Sequence, residues 1–287
     1  MQSVRLSNLP EPILYESHMH TPFCGHARGE VDEYAAVAMK RNLKGIIVTC
    51  HNPLPAGLDQ TVRMPAKRFP QYVAYVQSAQ TRWAGRIDIR LGLECDFLPG
   101  LEAFLAEQTR SAEFDFLLGS VHPHMDGYKR AYGRGGALAF QRMYFEHIAA
   151  AAESGLFDCL AHPDLVKQVT QREWKVDRIL PDVCRALDRI AKTGVAMEMN
   201  TSAYENGYDE LSPSPRMLRE MAKRWIPVVV GSDAHRPERV ADRWLEVYGM
   251  LEEAGYRCVS HFTQRKRTDI SITEARRSLA PAAHRAA

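Results

Sequence analysis

Residues 45–51 read GIIVTCH, a short run of apolar and β-branched residues that ends on a histidine. Such a run is typical of a buried strand in a parallel sheet. Longer amphipathic segments separate it from six runs of similar character. The seven runs are ILYES (13–17), GIIVTC (45–50), IDIRLGLEC (87–95), FDFLLGSV (114–121), FDCLA (157–161), VAMEMN (195–200) and IPVVVGS (226–232). Strands that alternate with helices predict repeated βα units.

One amphipathic segment follows each run and is predicted to be a helix. These segments span residues 31–41, 66–83, 101–111, 137–153, 176–192, 214–223 and 238–254. A chain of 287 residues that is 45% hydrophobic can bury one large α/β core, so we expect a single domain over residues 1–287. Only the tail from about residue 277 to 287 is expected to be loose. A βα barrel is the expected architecture, with its active site at the carboxyl ends of the strands.

Composition and charge narrow the class of protein. The net charge of +2 gives no electrostatic reason to expect a nucleic acid or an anionic membrane as partner. Residues 1–15 lack the basic start and apolar core of a secretion signal, which favours a cytoplasmic location. The six cysteines show no CxxC spacing, so neither a disulfide framework nor a zinc ribbon is expected. Cys24 and Cys50 each lie within two residues of a histidine and could bind a metal or be oxidised.

Potential metal ligands stand at or just after the ends of the predicted strands. The set comprises His18, His20, His26, His51, Glu94, His122, His162, Asp233 and His235. His18 and His20 are two residues apart and can project from one face of a strand, whereas His26 must come from the loop beyond. A single histidine is more often a packed or surface residue than a ligand. Recurrence at one end of the barrel favours a metal centre, and the donor types favour zinc, iron or manganese.

The number of donors favours more than one ion, because a single zinc takes about four ligands. Glu94 is the natural carboxylate bridge between two ions. Such a site can hold a bridging hydroxide that attacks a phosphoryl group, and a further ion can grip a phosphate oxygen. The chain offers no GxSxG elbow, no P-loop and no GxGxxG after a strand. Hydrolysis by a metal-bridging hydroxide is therefore the expected chemistry.

Seven segments together resemble a known family over nearly the whole chain. They are HMHTPFCGHA (18–27), GIIVTCHNPLP (45–55), GLECDF (92–97), FDFLLGSVH (114–122), AHPDLVK (161–167), EMNTSA (198–203) and VVVGSDAHRPERV (228–240). They resemble the PHP family of polymerase and histidinol phosphatase domains, in particular its histidinol-phosphatase branch. The resemblance implies an α/β fold, a distorted TIM-like (β/α)7 barrel, with three divalent metal ions at the carboxyl ends of the strands.

The resemblance also implies how the nine donors divide among the ions. The sets are His18, His20, Glu94 and Asp233 for the first, Glu94, His122 and His162 for the second, and His26, His51 and His235 for the third. The implied enzyme is a phosphoric monoester hydrolase that converts L-histidinol phosphate to L-histidinol and phosphate in histidine biosynthesis. Three ions of zinc, iron or manganese are the implied cofactors, and a small phosphorylated substrate is the implied partner.

Three positions depart from the family pattern. The family usually has Asp where this chain has Glu16, and an acidic residue where it has Cys50. Both are expected to lie behind the ligands and to orient imidazoles. The branch often carries a basic residue after the sixth strand, whereas residues 200–210 read NTSAYENGYDE. The cation that would hold phosphate is therefore missing from its usual place.

Other residues are candidates for substrate binding and catalysis. Arg63, Lys167 and Arg236 each stand in a loop after a predicted ligand and could bind phosphate, although a solvent-facing role is equally compatible with the sequence. His124 could act as an acid for the leaving group, and Asp233 could hydrogen-bond the nucleophile while it binds a metal. With Glu94, these two form the predicted catalytic set.

Alternative functions remain open at the level of sequence. A phosphatase of the same mechanism could act on another small ester, such as a sugar or nucleotide monophosphate. A nuclease or proofreading module of the same family would need a basic groove or a fused domain, for which the near-neutral chain gives no indication. A binding module without turnover would be expected to have lost ligands. Sequence fixes neither the metal nor the oligomeric state.

Overall fold

A nine-stranded sheet forms the centre of the protein in the computed structural model, which describes residues 10–56, 58, 61–206, 208 and 210–283. The strands are β1 (Tyr15–Glu16), β2 (Gly45–Val48), β3 (Asp88–Asp96), β4 (Phe116–Ser120), β5 (Cys159–Leu160), β6 (Ala196–Asn200), β7 (Val228–Gly231), β8 (Cys258–Thr263) and β9 (Lys266–Ser271). Each pairs with its neighbour in chain order, parallel from β1 to β8, and β9 is antiparallel to β8. The parallel sheet predicted from the alternating pattern is confirmed.

Helices connect the parallel strands. Those within the described residues are α1 (Val31–Lys40), α2 (Phe69–Trp83), α3 (Glu102–Thr109), α4 (Asp126–Tyr132), α5 (Gly136–Glu153), α6 (Val166–Val169), α7 (Val176–Thr193), α8 (Pro215–Lys223), α9 (Trp244–Ala254) and α10 (Ile272–Ala283). Within the described part of the chain, no helix is long and apolar enough to cross a membrane.

The first and seventh strands meet just beyond their carboxyl ends. Met19 and Ala234 form a parallel bridge, in which His20 N–H donates to Ala234 O at 2.9 Å and Ala234 N–H donates to His18 O at 3.0 Å. This bridge brings the two ends of the strand series together, as a TIM-like barrel requires. It also places the HMH and SDAH segments side by side.

Two apolar clusters follow from the alternation of side chains along the strands. The larger packs the outer strand faces against the helices, with Ile46 and Val48 of β2 among its members. The smaller cluster lies on the inner face of the curved sheet. It comprises Tyr15, Ile47, Phe116, Leu118, Cys159, Ala161, Ala196, Val229 and Phe262. Even-numbered residues of β3 follow the same inward direction, so Glu94 and Asp96 face the interior together.

The predicted helix 238–254 begins too early. A 3-10 turn covers Pro237–Arg239, and α9 starts only at Trp244. Ala241 and Arg243 have φ of 54° and 62°, which is left-handed and incompatible with a continuous helix. The buried Glu16 carboxylate accepts the Ala241 N–H at 2.7 Å and holds this loop in place.

The prediction also omitted the elements after residue 254. Strands β8 and β9 form a hairpin, and α10 runs to Ala283, so residues 277–283 of the expected loose tail are helical and only 284–287 lie outside the described residues. Gln264 and Arg265 occupy the tip with φ of 51° and 61°. A tight turn with two positive φ values usually contains Asn or Gly, and neither is present.

Candidate metal centre

Glu94, near the end of β3, is the hub of the predicted ligand set. Its Oε1 atom lies 3.0 Å from His162 Nε2 and 3.4 Å from His122 Nε2. Its Oε2 atom lies 2.8 Å from His51 Nδ1 and 3.5 Å from both His18 Nε2 and His20 Nε2. One carboxylate thus faces two groups of imidazoles, one on each oxygen. A carboxylate in this position can bridge two cations.

Asp233 occupies the opposite side of the same cluster. Its Oδ1 atom lies 3.0 Å from His20 Nε2, 3.4 Å from His18 Nε2 and 3.5 Å from His235 Nδ1. Its Oδ2 atom accepts a hydrogen bond from Ser202 Oγ at 3.1 Å. Asp233 and His162 both have positive φ, 50° and 28°. Backbone strain of this kind in residues other than glycine concentrates at functional sites.

Several donor atoms at the centre are buried without a hydrogen-bond partner. They are His18 Nε2, His20 Nδ1, His162 Nδ1 and His235 Nε2, together with His51 Nδ1 and Glu94 Oε2, which lie 2.8 Å apart but not in hydrogen-bonding geometry. An unsatisfied buried polar atom is costly, and a cation would satisfy those that face the cluster. The donor set of imidazoles and carboxylates therefore fits divalent metal ions such as zinc.

The pKa shifts of Glu94 and His51 also suit a metal-binding role for these two residues. Burial alone would raise the pKa of Glu94, but His51, His18 and His122 hold it well below its usual range. Burial lowers the pKa of His51 to about 4, although the Glu94 carboxylate opposes the shift. The Glu94 carboxylate is therefore ionised and the His51 imidazole neutral near pH 7, which are the protonation states that bind metal ions. Burial would lower the pKa of His20, but the Asp233 and Glu94 carboxylates raise it to about 9, so metal binding must displace a proton from this ring.

Groups of three donors lie within 4.8 Å of one another at the places where the ions were expected. They are His18, His20 and Asp233; Glu94, His122 and His162; and His20, His51 and His235. The first group is part of the predicted first set, and the second group is the whole of the predicted second set. His26 is not in the third, although its ring centre lies 4.4 Å from that of His235 and 5.5 Å from that of His51. His26 therefore lies next to the site, in the loop between β1 and α1, as the sequence predicted.

A buried carboxylate on β6, that of Glu198, supports His18 and the backbone of His162. Glu198 Oε1 lies 2.7 Å from His18 Nδ1, and Glu198 Oε2 accepts the His162 N–H at 2.9 Å. Gly231 provides the space, because a Cβ placed there would lie 2.1 Å from Glu198 Oε1 and 2.8 Å from His18 Cβ. Glu198 lies in the predicted strand 195–200 but is not among the predicted site residues. Its contacts suit a residue that orients ligand His18.

The Arg63 side chain does not take the phosphate-binding position predicted for it. It is buried, and its Nε and Nη2 atoms donate to Asp96 Oδ2 and Oδ1 at 2.5 and 2.6 Å. The same Asp96 Oδ1 lies 2.5 Å from His122 Nδ1. Asp96 was missed from the sequence, although it stands two residues after Glu94 on the same strand face. Arg63 and Asp96 therefore orient His122 from behind.

Lys167, the second predicted phosphate ligand, is likewise engaged by partners within the protein. Its buried Nζ atom donates to Leu211 O at 2.5 Å and Asp164 Oδ2 at 3.2 Å, and lies 3.4 Å from Glu210 Oε1. The positive charge of Lys167 is therefore balanced by contacts inside the protein.

Arg236 follows His235 and is half-buried, and its role as a phosphate ligand stays a prediction.

Glu16 and Cys50 do not act alike, although both were expected to orient imidazoles. Glu16 Oε1 accepts the backbone N–H groups of His18 and Ser232 at 3.1 and 2.9 Å, so it fixes backbone rather than a ring. Cys50 Sγ lies 3.6 Å from Thr21 O and belongs with Cys24 and His20 to a buried group. All six cysteines are free thiols, in agreement with the expectation of no disulfide framework.

A cavity of about 240 Å³ opens above the cluster. Its described lining combines predicted ligands with five other residues, which are Val62, His124, Leu165, Gln168 and Ser202. Val62 comes from the loop that follows His51. Partial burial, with His122 and Arg63 nearby, lowers the pKa of His124 to about 3, so its ring is neutral near pH 7. A neutral ring can donate a hydrogen bond but is a poor proton donor.

The sequence can be aligned with those of known proteins over most of the length of each. A model of the PHP domain matches residues 16–202. A probable histidinol-phosphatase of Deinococcus radiodurans is 37% identical over 265 residues, which cover 88% of this chain and 98% of that protein. The histidinol-phosphatase of Bacillus subtilis is 25% identical over 253 residues, which cover 77% of this chain and 93% of that protein.

Fold and site together define a TIM-like α/β barrel with a histidine-rich cluster of metal-binding donors at the carboxyl ends of its strands. The family model and the sequence identity show that the chain belongs to the PHP family. A crystal structure of histidinol phosphate phosphatase from Lactococcus lactis, complexed with zinc, L-histidinol and phosphate, has a TM-score of 0.73 at 19% identity. That likeness covers 89% of this chain and 98% of the other, and it shows that the fold is shared.

Proposed function

We propose that this protein is a metal-dependent phosphoric monoester hydrolase, a histidinol-phosphatase that converts L-histidinol phosphate to L-histidinol and phosphate. The observation that carries the proposal is the position of Glu94, whose two oxygens lie within 3.5 Å of five histidines beneath a cavity. The 37% identity to a probable histidinol-phosphatase supports the choice of substrate. Histidine biosynthesis is the proposed pathway.

Three divalent ions, of zinc, iron or manganese, are part of this proposal. Glu94 would be shared by two of them, with His18, His20 and Asp233 on one side and His122 and His162 on the other. His26, His51 and His235 would hold the third. When bound, such ions activate water and polarise phosphoryl oxygens. The zinc in the Lactococcus lactis structure supports zinc as one of the metals.

The chain itself would position the reactants. Burial alone would raise the pKa of Asp233, but His18 and His20 hold it well below its usual range, so its carboxylate is ionised and able to accept a hydrogen bond from the attacking water. We propose that His124, at the cavity wall, donates a hydrogen bond to the leaving-group oxygen as a neutral ring. Arg236 is the remaining candidate for phosphate.

The rest of the substrate would contact the cavity wall. Val62 and Leu165 offer apolar surface, and Gln168 and Ser202 offer hydrogen-bonding groups. A few polar groups among apolar walls are typical of sites for small molecules. We also propose a cytoplasmic location, which suits the biosynthetic role of the histidinol-phosphatase relatives.

A substrate profile tests the proposal. Enzyme of defined metal content should hydrolyse L-histidinol phosphate with kcat/KM at least about 100-fold above that for a panel of sugar and nucleotide monophosphates. One observation favours the alternative of another small phosphate ester, namely the absence of any basic residue from 200–210. A higher kcat/KM for a panel member would select that alternative, and hydrolysis of none of these esters would contradict both.

A further inference from the structure

Cys24 and Cys50 form a buried pair behind the metal-binding cluster. Both side chains are fully shielded from solvent. Their Sγ atoms lie 3.1 and 3.6 Å from the same backbone oxygen, that of Thr21. One ligand atom of His20 and the two sulfurs lie within 4.8 Å of one another. Two thiols and an imidazole therefore lie together in a part of the protein that is shielded from solvent.

The His20 ring lies between the cysteine pair and the metal-binding cluster, with one ring nitrogen on each side. Its Nε2 atom is 3.0 Å from Asp233 Oδ1, in the barrel mouth. Its Nδ1 atom is buried and has no oxygen or nitrogen partner, and the Cys24 thiol is close enough to interact with the ring. A histidine that binds a metal usually donates its second N–H to a carboxylate, a carbonyl or water. Here sulfur atoms, those of Cys24 and Cys50, stand beside the ring in place of such a partner.

We infer that His20 Nδ1, Cys24 Sγ and Cys50 Sγ form a separate site for a thiophilic divalent ion such as zinc. Soft sulfur donors with one imidazole select zinc over magnesium or calcium. The Thr21 carbonyl oxygen is close to both sulfurs and supplies the fourth donor of a tetrahedral site. This site goes beyond the proposed hydrolytic centre, which uses only nitrogen and oxygen donors.

Charge and proton balance are compatible with the site. Two thiolates neutralise one divalent ion, so the buried site adds little net charge. Binding releases the two thiol protons and, when His20 Nε2 already holds an ion of the mouth, the Nδ1 proton as well. His20 then connects the sulfur site to the hydrolytic centre through a single ring.

Cobalt(II) provides a test that does not depend on phosphatase activity. The full-length protein, kept reduced and without oxygen, is reconstituted with cobalt(II) at all sites. Thiolate ligands give cobalt(II) an intense charge-transfer absorption in the near ultraviolet, whereas imidazole and carboxylate ligands do not. We expect this band in the wild-type protein and one more equivalent of bound cobalt than in the double variant C24S/C50S.

Single variants locate the site. C24S and C50S should each lose the band. C159S is the matched control, because Cys159 is equally buried but lies among the apolar side chains inside the barrel, and it should keep both the band and the cobalt count. Should the serine variants fail to fold, the wild-type spectrum still decides.

Three results would overturn the inference. The first is a wild-type protein that fills its nitrogen and oxygen sites with cobalt but shows no thiolate band. The second is a band that persists in both C24S and C50S. The third is a protein purified without reductant whose mass is lower by two hydrogen atoms and whose reduced form binds no additional ion, which would make the pair a disulfide-forming one. Loss of phosphatase activity alone would test only the proposed function.

Discussion

Asp96 Oδ1 lies 2.5 Å from His122 Nδ1, and the buried Arg63 side chain donates to both oxygens of the same carboxylate. The pair holds His122 with its Nε2 atom toward Glu94, at 3.4 Å. Carboxylates behind a metal-binding histidine fix the ring and raise its basicity. Asp96 is therefore as much a part of the site as the ligands it supports.

Replacing Asp96 with Asn should weaken metal binding by about 10- to 100-fold, because outer partners of ligating histidines typically contribute that much. Metal content after dialysis against a graded chelator measures the change. D115N is the matched control, since Asp115 pairs with Arg90 at 3.0 Å near the amino-terminal end of β4. Equal metal loss in both variants would contradict a specific role for Asp96.

Replacing Glu94 with Gln should abolish turnover and lower metal content, because the bridging group loses its charge. We expect a loss of kcat larger than the roughly 100-fold typical of outer partners. Steady-state kinetics and elemental analysis of the same preparation provide both measurements. An E94Q enzyme that keeps its activity would show that Glu94 is not the bridge.

Removing the metal should eliminate phosphatase activity and lower Tm, since ions that bind only the folded state stabilise it by mass action. Activity before and after chelation, and after the return of zinc, manganese or iron(II), is the measurement. The ion that restores kcat identifies the working metal. Full activity in a protein shown to be metal-free would refute the metal mechanism.

Replacing Gly231 with Ala should destabilise the protein by about 1–3 kcal/mol, because the added Cβ overlaps Glu198 and forces a shift beside His18. Denaturant unfolding measures the free energy, and metal content should fall with it. G249A is the control: Gly249 lies in α9, its Cβ would meet Arg276 only at 3.8 Å, and helix propensity favours Ala there. Equal stability of G231A and wild type would contradict the packing argument.

Replacing Lys167 with Met should lower stability, by up to about 3–5 kcal/mol for a broken buried pair, while KM for the phosphate ester stays unchanged. The physical reason is that Asp164 loses its cation inside the protein. Thermal unfolding and kinetics below the transition separate the two effects. A large rise in KM with unchanged Tm would restore Lys167 as a phosphate ligand.

The strands and the ligand positions could be predicted because their signal is local. An apolar run with β-branched residues that is followed by His or Glu indicates both a strand and a donor at its carboxyl end. The segment GIIVTCH contains β2, and the segment that includes Glu94 forms β3, as this rule predicts. The β8–β9 hairpin gave no such signal, because Gln264 and Arg265 adopt a turn that usually needs Asn or Gly.

The residues around the ligands were harder to predict, since their roles depend on distant contacts. Lys167 and Arg63 look like loop cations in the sequence, and only the fold reveals their partners Glu210, Asp164 and Asp96. The start of α9 depends on Glu16, which is 225 residues away from Ala241. Local patterns carry no information about such pairs.

The bridge between Met19 and Ala234 has a consequence for how the protein is made. His20 and Asp233, which it brings together, are 213 residues apart in the chain. A polypeptide still emerging from the ribosome has its HMH histidines long before it has Asp233 and His235. The full set of donors exists only once nearly the whole chain has been synthesised and the last parallel strands have joined the first. Completion of the donor set is therefore a late event, and it distinguishes a finished chain from a fragment.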